Sequence, residues 1–152
     1  MKKLFFIAIL ALGISAFATA QTNDKAIGLR GGWGTELSYQ QPLSGSTRLE
    51  VDLGLPGWKY SGIVLSGIHQ WVMNIDGGLD WYAGLGGQVG SIRWDKNESL
   101  GIGLGLAGQI GIEYNFPIPL QMSLDWRPTW YVIPSGKPFG YEGAAFSIRY
   151  RF

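Results

Sequence analysis

The sequence predicts an all-β protein, a closed antiparallel barrel, on three observations. Apolar and polar residues alternate with a period of two along most of the chain, as they do in strands whose two faces meet different surroundings. The 152 residues include 24 glycines, with no collagen period, and seven each of Trp, Tyr and Phe, an aromatic content that argues against disorder. There is no cysteine, so an exported chain of this kind must draw its stability from burial and a closed hydrogen-bond network rather than from disulfides.

Export is expected from the first twenty residues. Lys2 and Lys3 make a positive start, Leu4 to Phe17 are almost wholly apolar, and Ala18-Thr19-Ala20 supplies a small-x-small cleavage site. The apolar run is shorter than the roughly 20 residues of a spanning helix. Cleavage would leave residues 21–152 as one domain beginning at Gln21, with no cysteine at the cut to carry a lipid. Removing the two lysines takes the formal charge from +1 to about −1, and nothing in that balance calls for nucleic acid.

The elements follow in order. Ala26 to Gln40 holds two short alternating pieces separated by Gly31-Gly32-Trp33-Gly34, either one bent strand or a hairpin. Gln41 to Ser46, with Pro42 and Gly45, is a turn. Arg48 to Leu55 places Leu49, Val51, Leu53 and Leu55 opposite Arg48, Glu50 and Asp52. Pro56-Gly57 opens a loop. Ser61 to Met73 is a strand of ambiguous phase, because Ile63, Leu65 and Trp71 alternate out of step with Val64, Ile68 and Val72. Asp76-Gly77-Gly78 is a hairpin turn. Leu79 to Ile92 resumes clear alternation, and Arg93 to Ser99 is a polar loop. Leu100 to Tyr114 alternates aliphatic residues with small or polar ones and contains five glycines, each costing about 1 kcal/mol in a helix relative to alanine. A turn at Asn115 to Pro119, a strand at Leu120 to Trp126 and a Pro/Gly loop at Ile133 to Gly140 lead to the last strand, Tyr141 to Phe152. There Phe146, Ile148, Tyr150 and Phe152 oppose Ser147, Arg149 and Arg151.

An export segment followed by a chain that closes on such a strand resembles bacterial outer-membrane β-barrels, in the OmpA-barrel or OmpX size class of Gram-negative envelopes. The resemblance implies an eight-stranded antiparallel up-and-down transmembrane β-barrel, since single-chain bacterial barrels have even strand numbers; this favours the hairpin at residues 26–40. It implies short periplasmic turns near 41–46, 74–78 and 115–119, and longer loops at 93–99 and 133–140. It also implies a multi-pass outer-membrane location and contact with outer-membrane lipid and lipopolysaccharide. Phe146, Ile148, Tyr150 and Phe152 would then be the signal read by the barrel-assembly machinery. Tyr39, Trp71, Trp81, Tyr114, Tyr150 and Phe152 fall near the turn ends of their strands, as an interfacial girdle requires, while Trp33, Trp58, Tyr60, Trp94, Trp130 and Tyr141 fall toward the other side.

The polar phase then faces the lumen. It collects Arg30, Glu36, Arg48, Glu50, Asp52, Asp80, Gln88, Gln109, Glu113, Asp125, Arg127, Arg149 and Arg151, a set able to pair across a narrow barrel and plug it. Gly84, Gly86, Gly90, Gly101, Gly103, Gly105 and Gly111 could instead open space for water, ions or a small ligand, or serve strand curvature. The expected role is structural or interaction-type and not enzymatic. Three alternatives compete: a narrow pore or small-ligand carrier, a lipid A-modifying enzyme using His69, and a soluble periplasmic lipocalin-like barrel with the same alternation turned inside out.

His69 is the only histidine, and its odd separation from Ser66 sets the two on opposite faces of a strand. Gly103-x-Gly105-x-x-Gly108 has dinucleotide-binding spacing but lacks the strand-turn-helix context, and no cofactor or metal is expected. Asn97-Glu98-Ser99 matches a glycosylation sequon that carries no information in a bacterial setting.

Overall fold

The structure is a computed structural model, and it describes residues 18–19, 24–32, 34–55, 61–93, 97, 99, 101–133 and 143–152. Most of the expected export segment, most of the loops at 93–99 and 133–140, and Trp33, Trp58, Tyr60, Trp94 and Tyr141 lie outside the described residues.

The strands are β1 (Ala18–Thr19), β2 (Ala26–Gly31), β3 (Thr35–Pro42), β4 (Thr47–Leu55), β5 (Ser61–Asp76), β6 (Leu79–Arg93), β7 (Gly101–Asn115), β8 (Leu120–Trp126), β9 (Thr129–Ile133) and β10 (Ala144–Arg151). Each pairs antiparallel with its neighbour from β2 to β8, and β10 pairs with both β8 and β2, so the wall closes. The closure is tied at its end by Lys25 and Phe152, whose backbones exchange bonds of 3.1 and 2.9 Å. β8 and β9 form one stave against β7, interrupted at Arg127-Pro128. Proline has no N–H to donate, yet the Pro128 carbonyl accepts from Gly108 N at 3.0 Å, so the interruption keeps its register. Eight staves result. Their registers accumulate a stagger of about ten residues around the wall, which for eight strands tilts them within the usual range of about 35–45°.

Residues 26–40 form a hairpin, resolving the choice between one strand and two: β2 and β3 pair from Ala26/Gln40 to Gly31/Thr35. β3 continues through Pro42, so the turn narrows to residues 43–46, closed by Leu43 N to Thr47 O at 3.0 Å. β5 runs three residues past Met73, to Asp76. Gly77 then turns the chain with φ +52°, a left-handed conformation that glycine adopts without steric cost. Ala18–Thr19 pairs with Met73 and Asn74 beyond the start of β4. The described part of the last strand begins at Ala144.

The phase of β5 is also settled. Val64, Ser66, Ile68, Gln70 and Val72 are buried, whereas Ile63, Leu65 and Trp71 are exposed on the outer wall. The aliphatic residues have a reason to be inside. An added Cβ at Gly84 would lie 2.6 Å from Ile68 Cγ2, and Val72 packs on Tyr82, so β5 fills volume that glycine on β6 leaves open. At Gly86 a Cβ would lie 1.9 Å from the Gly67 carbonyl oxygen. This is a backbone approach only glycine permits, and it lets the wall curve there.

Candidate functional site: the charged lumen

Among the described residues, the largest fully buried side chains other than Tyr82, Ile68 and Val72 are polar or charged: Arg149, Gln40, Gln70, Glu50, Asp52, Ser38, Ser66 and Ser147. The outer wall is the reverse, with Leu29, Leu55, Ile63, Leu85, Ile102, Leu106, Ile110, Ile112, Leu124, Phe146 and Ile148 among its exposed residues. This corrects the lipocalin-like alternative, in which the apolar face would be enclosed and the charges displayed.

Two ion-pair clusters occupy the lumen. In the cluster toward the turn end, Arg48 grips Glu113 with two bonds of 2.9 and 2.6 Å, and its Nε donates to Gln70 Oε1 at 2.6 Å. Gln70 Nε2 passes the chain to Gln109, and Gln109 Nε2 donates to Glu50 at 3.1 Å. Glu50 is also reached by Gln40 Nε2 at 2.7 Å and Arg149 Nη2 at 3.1 Å. Arg149 spends its remaining donors on Ser38, Gln121 and Ser123 at 2.9, 3.3 and 2.8 Å. In the cluster toward the loop end, Arg30 pairs with both oxygens of Asp125 and with Glu36, while Arg127 pairs with Glu36 and Asp52.

Tyr82 joins the two. Arg48 lies 5.0 Å over its ring, a cation–π arrangement, and its hydroxyl points to Asp125 at 3.4 Å. Gly111 stands directly opposite Tyr82 on β7, and a Cβ there would lie 2.6 Å from the ring. The ring crosses the lumen because that position has no side chain.

The structure thus brings together ten of the expected lumen residues: Arg30, Glu36, Arg48, Glu50, Asp52, Gln109, Glu113, Asp125, Arg127 and Arg149. The other three sit apart. Arg151 donates to the Phe116 and Ile118 carbonyls at 2.7 and 3.0 Å and pairs with Asp24, which places it on the turn-end rim; its polar phase is correct but its height is beyond the lumen. Asp80, one residue into β6, is held at the same end by Asn74 and Asn115 amides at 2.6 and 3.0 Å. Gln88 lies farther toward the loops, accepting from Thr129 Oγ1 at 3.0 Å. Ser38, Gln40, Tyr82, Gln121 and Ser123 belong to the network without having been singled out, although all five share the polar phase. Gln70 was hidden by the ambiguous phase of its strand.

Tyr114, Tyr150, Phe152 and Trp71 are exposed on the outer wall in its turn half, with Tyr39 and Trp81 half-buried there. Tyr114 stacks edge-on with Phe116 at 4.8 Å, and Tyr150 lies parallel to Phe152 at 6.3 Å. Trp130 is exposed on β9. His69 is on the outer wall, edge-on to Trp71 at 4.6 Å, whereas Ser66 points inward, so the two do not meet. Among the described residues no group of three or more His, Cys, Asp or Glu side chains could hold a metal ion. Gly103, Gly105 and Gly108 continue β7, with no helix after them.

No protein-family model matches the sequence, and no curated protein sequence is significantly similar to it. The fold does have solved counterparts. One, described as "De novo design of transmembrane beta-barrels", superposes with a TM-score of 0.60 over 88% of this chain and 99% of its own, at 12% sequence identity. At that identity the likeness concerns the fold, and it agrees with the apolar exterior: the chain is a closed eight-stranded antiparallel barrel with the architecture of a transmembrane β-barrel.

Proposed function

We propose that this protein is a small integral barrel of the bacterial outer membrane with a structural or interaction role in the cell envelope. The observation that carries the reading is the reversal of polarity: aliphatic rows cover the outside while ion pairs fill the inside. In water such an exterior would be an aggregation hazard, whereas in lipid it is the favourable surface. Antiparallel pairing runs all the way round the wall among the described residues, as the hydrocarbon core requires of a spanning sheet. Aromatic residues in the turn half match an interfacial girdle, with the turns in the periplasm and the loops outside. Outer-membrane lipid and lipopolysaccharide are the partners this surface fits, and Phe146, Ile148, Tyr150 and Phe152 on the closing strand suit a signal for the barrel-assembly machinery.

The salt-bridged lumen favours a plug over a pore, and His69, edge-on to Trp71 and away from Ser66, favours a non-enzymatic role. Gel mobility of the membrane-extracted protein, unboiled against boiled, tests the barrel, and envelope fractionation tests its location. A compact unboiled band in outer-membrane fractions is expected. A soluble protein with no heat shift would refute the proposal.

A further inference from the structure

The loop-end cluster does not balance. It contains two cations, Arg30 and Arg127, and three carboxylates, Glu36, Asp52 and Asp125. The turn-end cluster matches Arg48 and Arg149 with Glu113 and Glu50. Within these two clusters the five carboxylates exceed the four guanidinium groups by one, and the excess is local. Both oxygens of Glu36 and both of Asp125 have guanidinium partners. Asp52 has one: Oδ2 accepts from Arg127, while Oδ1 is fully buried and accepts no well-formed hydrogen bond among the described residues, with the Ser38 hydroxyl beside the carboxylate as its nearest donor.

A second orphan lies beside it. Ser66 is the cross-strand partner of Asp52, points into the lumen, is fully buried, and its Oγ also has no partner. The same rung continues to Ser38 on one side of Asp52 and to Gln88 on the other side of Ser66, then to Gly105, which contributes no side chain. An unpaired buried carboxylate oxygen is costly. A proton on Oδ1, donated to the Ser66 hydroxyl oxygen, is the competing answer, and it would make stability follow pH rather than the cation. A small hard cation answers both the charge and the oxygens, since such ions take carboxylate and hydroxyl oxygen ligands.

We infer that the lumen binds one monovalent alkali cation, Na⁺ in the first instance, between Asp52 Oδ1 and Ser66 Oγ. The ion completes the charge balance of the loop-end cluster, and the site belongs to the lumen whatever surrounds the barrel.

The test is urea unfolding of the barrel, refolded in detergent, over a NaCl series with N-methylglucamine chloride holding ionic strength constant. A ligand that binds only the folded state raises the midpoint as its concentration passes the dissociation constant. The midpoint is expected to rise with Na⁺, to require higher Na⁺ in Ser66→Ala, and to lose its Na⁺ dependence in Asp52→Asn. Broadening of the ²³Na resonance by the wild-type protein, reduced in Ser66→Ala, reports the same site directly. Ser66 has no protein partner, so its replacement leaves the ion pairs in place and carries the test should Asp52→Asn fail to fold. Midpoints identical in the two salts, an unchanged Na⁺ dependence in Ser66→Ala, or a midpoint that follows pH but not the cation would each overturn the inference.

Discussion

Arg149→Met removes the most completely enclosed cation of the barrel while roughly keeping its volume. Arg149 and its partner Glu50 both have fully buried side chains, 3.1 Å apart. The substitution leaves the Glu50 carboxylate with amide donors from Gln40 and Gln109 but no cation bound to it, and it takes a donor from each of Ser38, Gln121 and Ser123. Breaking a buried pair from one side costs about 3–5 kcal/mol, because a charge is stranded. With a urea dependence of about 2 kcal/mol per molar, the unfolding midpoint should fall by about 2 M. Adding Glu50→Gln removes the stranded charge and should restore at least half of the loss. The assay is urea titration in detergent, followed by tryptophan fluorescence and by the unboiled gel band. A single-variant loss below about 0.5 kcal/mol, the range of an exposed pair, would show that the lumen is solvated like a surface. A double variant no better than the single would show that the cost lies in the lost hydrogen bonds rather than in the charge. Either result refutes the reasoning.

Two further outcomes follow from packing and polarity, and one from the plug. Gly111→Ala drives a Cβ into the Tyr82 ring and to 2.7 Å from Asp125 Cβ; it should cost about 1–3 kcal/mol by overpacking, with partial recovery in a Tyr82→Leu background, read by the same titration. Leu85→Arg, midway along β6 and 65% exposed, should destabilise the barrel by about 2–4 kcal/mol in a lipid bilayer, measured by unfolding from vesicles; no loss there would contradict a lipid-facing wall. Planar-bilayer recordings should give no reproducible conductance steps from the wild type, and steady openings would contradict a lumen closed by its ion pairs.

Much of this arrangement is legible one strand at a time. β4, β7, β8 and β10 alternate so regularly that their lumen residues follow from counting by two, and Glu50, Asp52, Glu113, Asp125 and Arg149 are all where that counting puts them. β5 is the exception for a physical reason: its inward face carries Val64, Ile68 and Val72 because glycine on β6 leaves volume that only aliphatic side chains fill, so both faces of β5 look apolar in sequence. Arg151 fails differently. Phase says which face a residue takes but not how high it stands, and one position from the chain end is already the rim.

The sequence by itself determined the period of most strands and the turns between most of them, because alternation and Gly/Pro chemistry are local; it did not mark β9 as a strand. It did not determine which face is the inside. A period of two reads the same with the apolar rows turned in or out, and only the closed register brings Arg30 beside Asp125 and Arg48 beside Glu113 across the barrel. Nor could it locate the uncompensated oxygen of Asp52, since charge balance within a lumen depends on which carboxylates share a guanidinium. That is decided by distances between strands far apart in the chain.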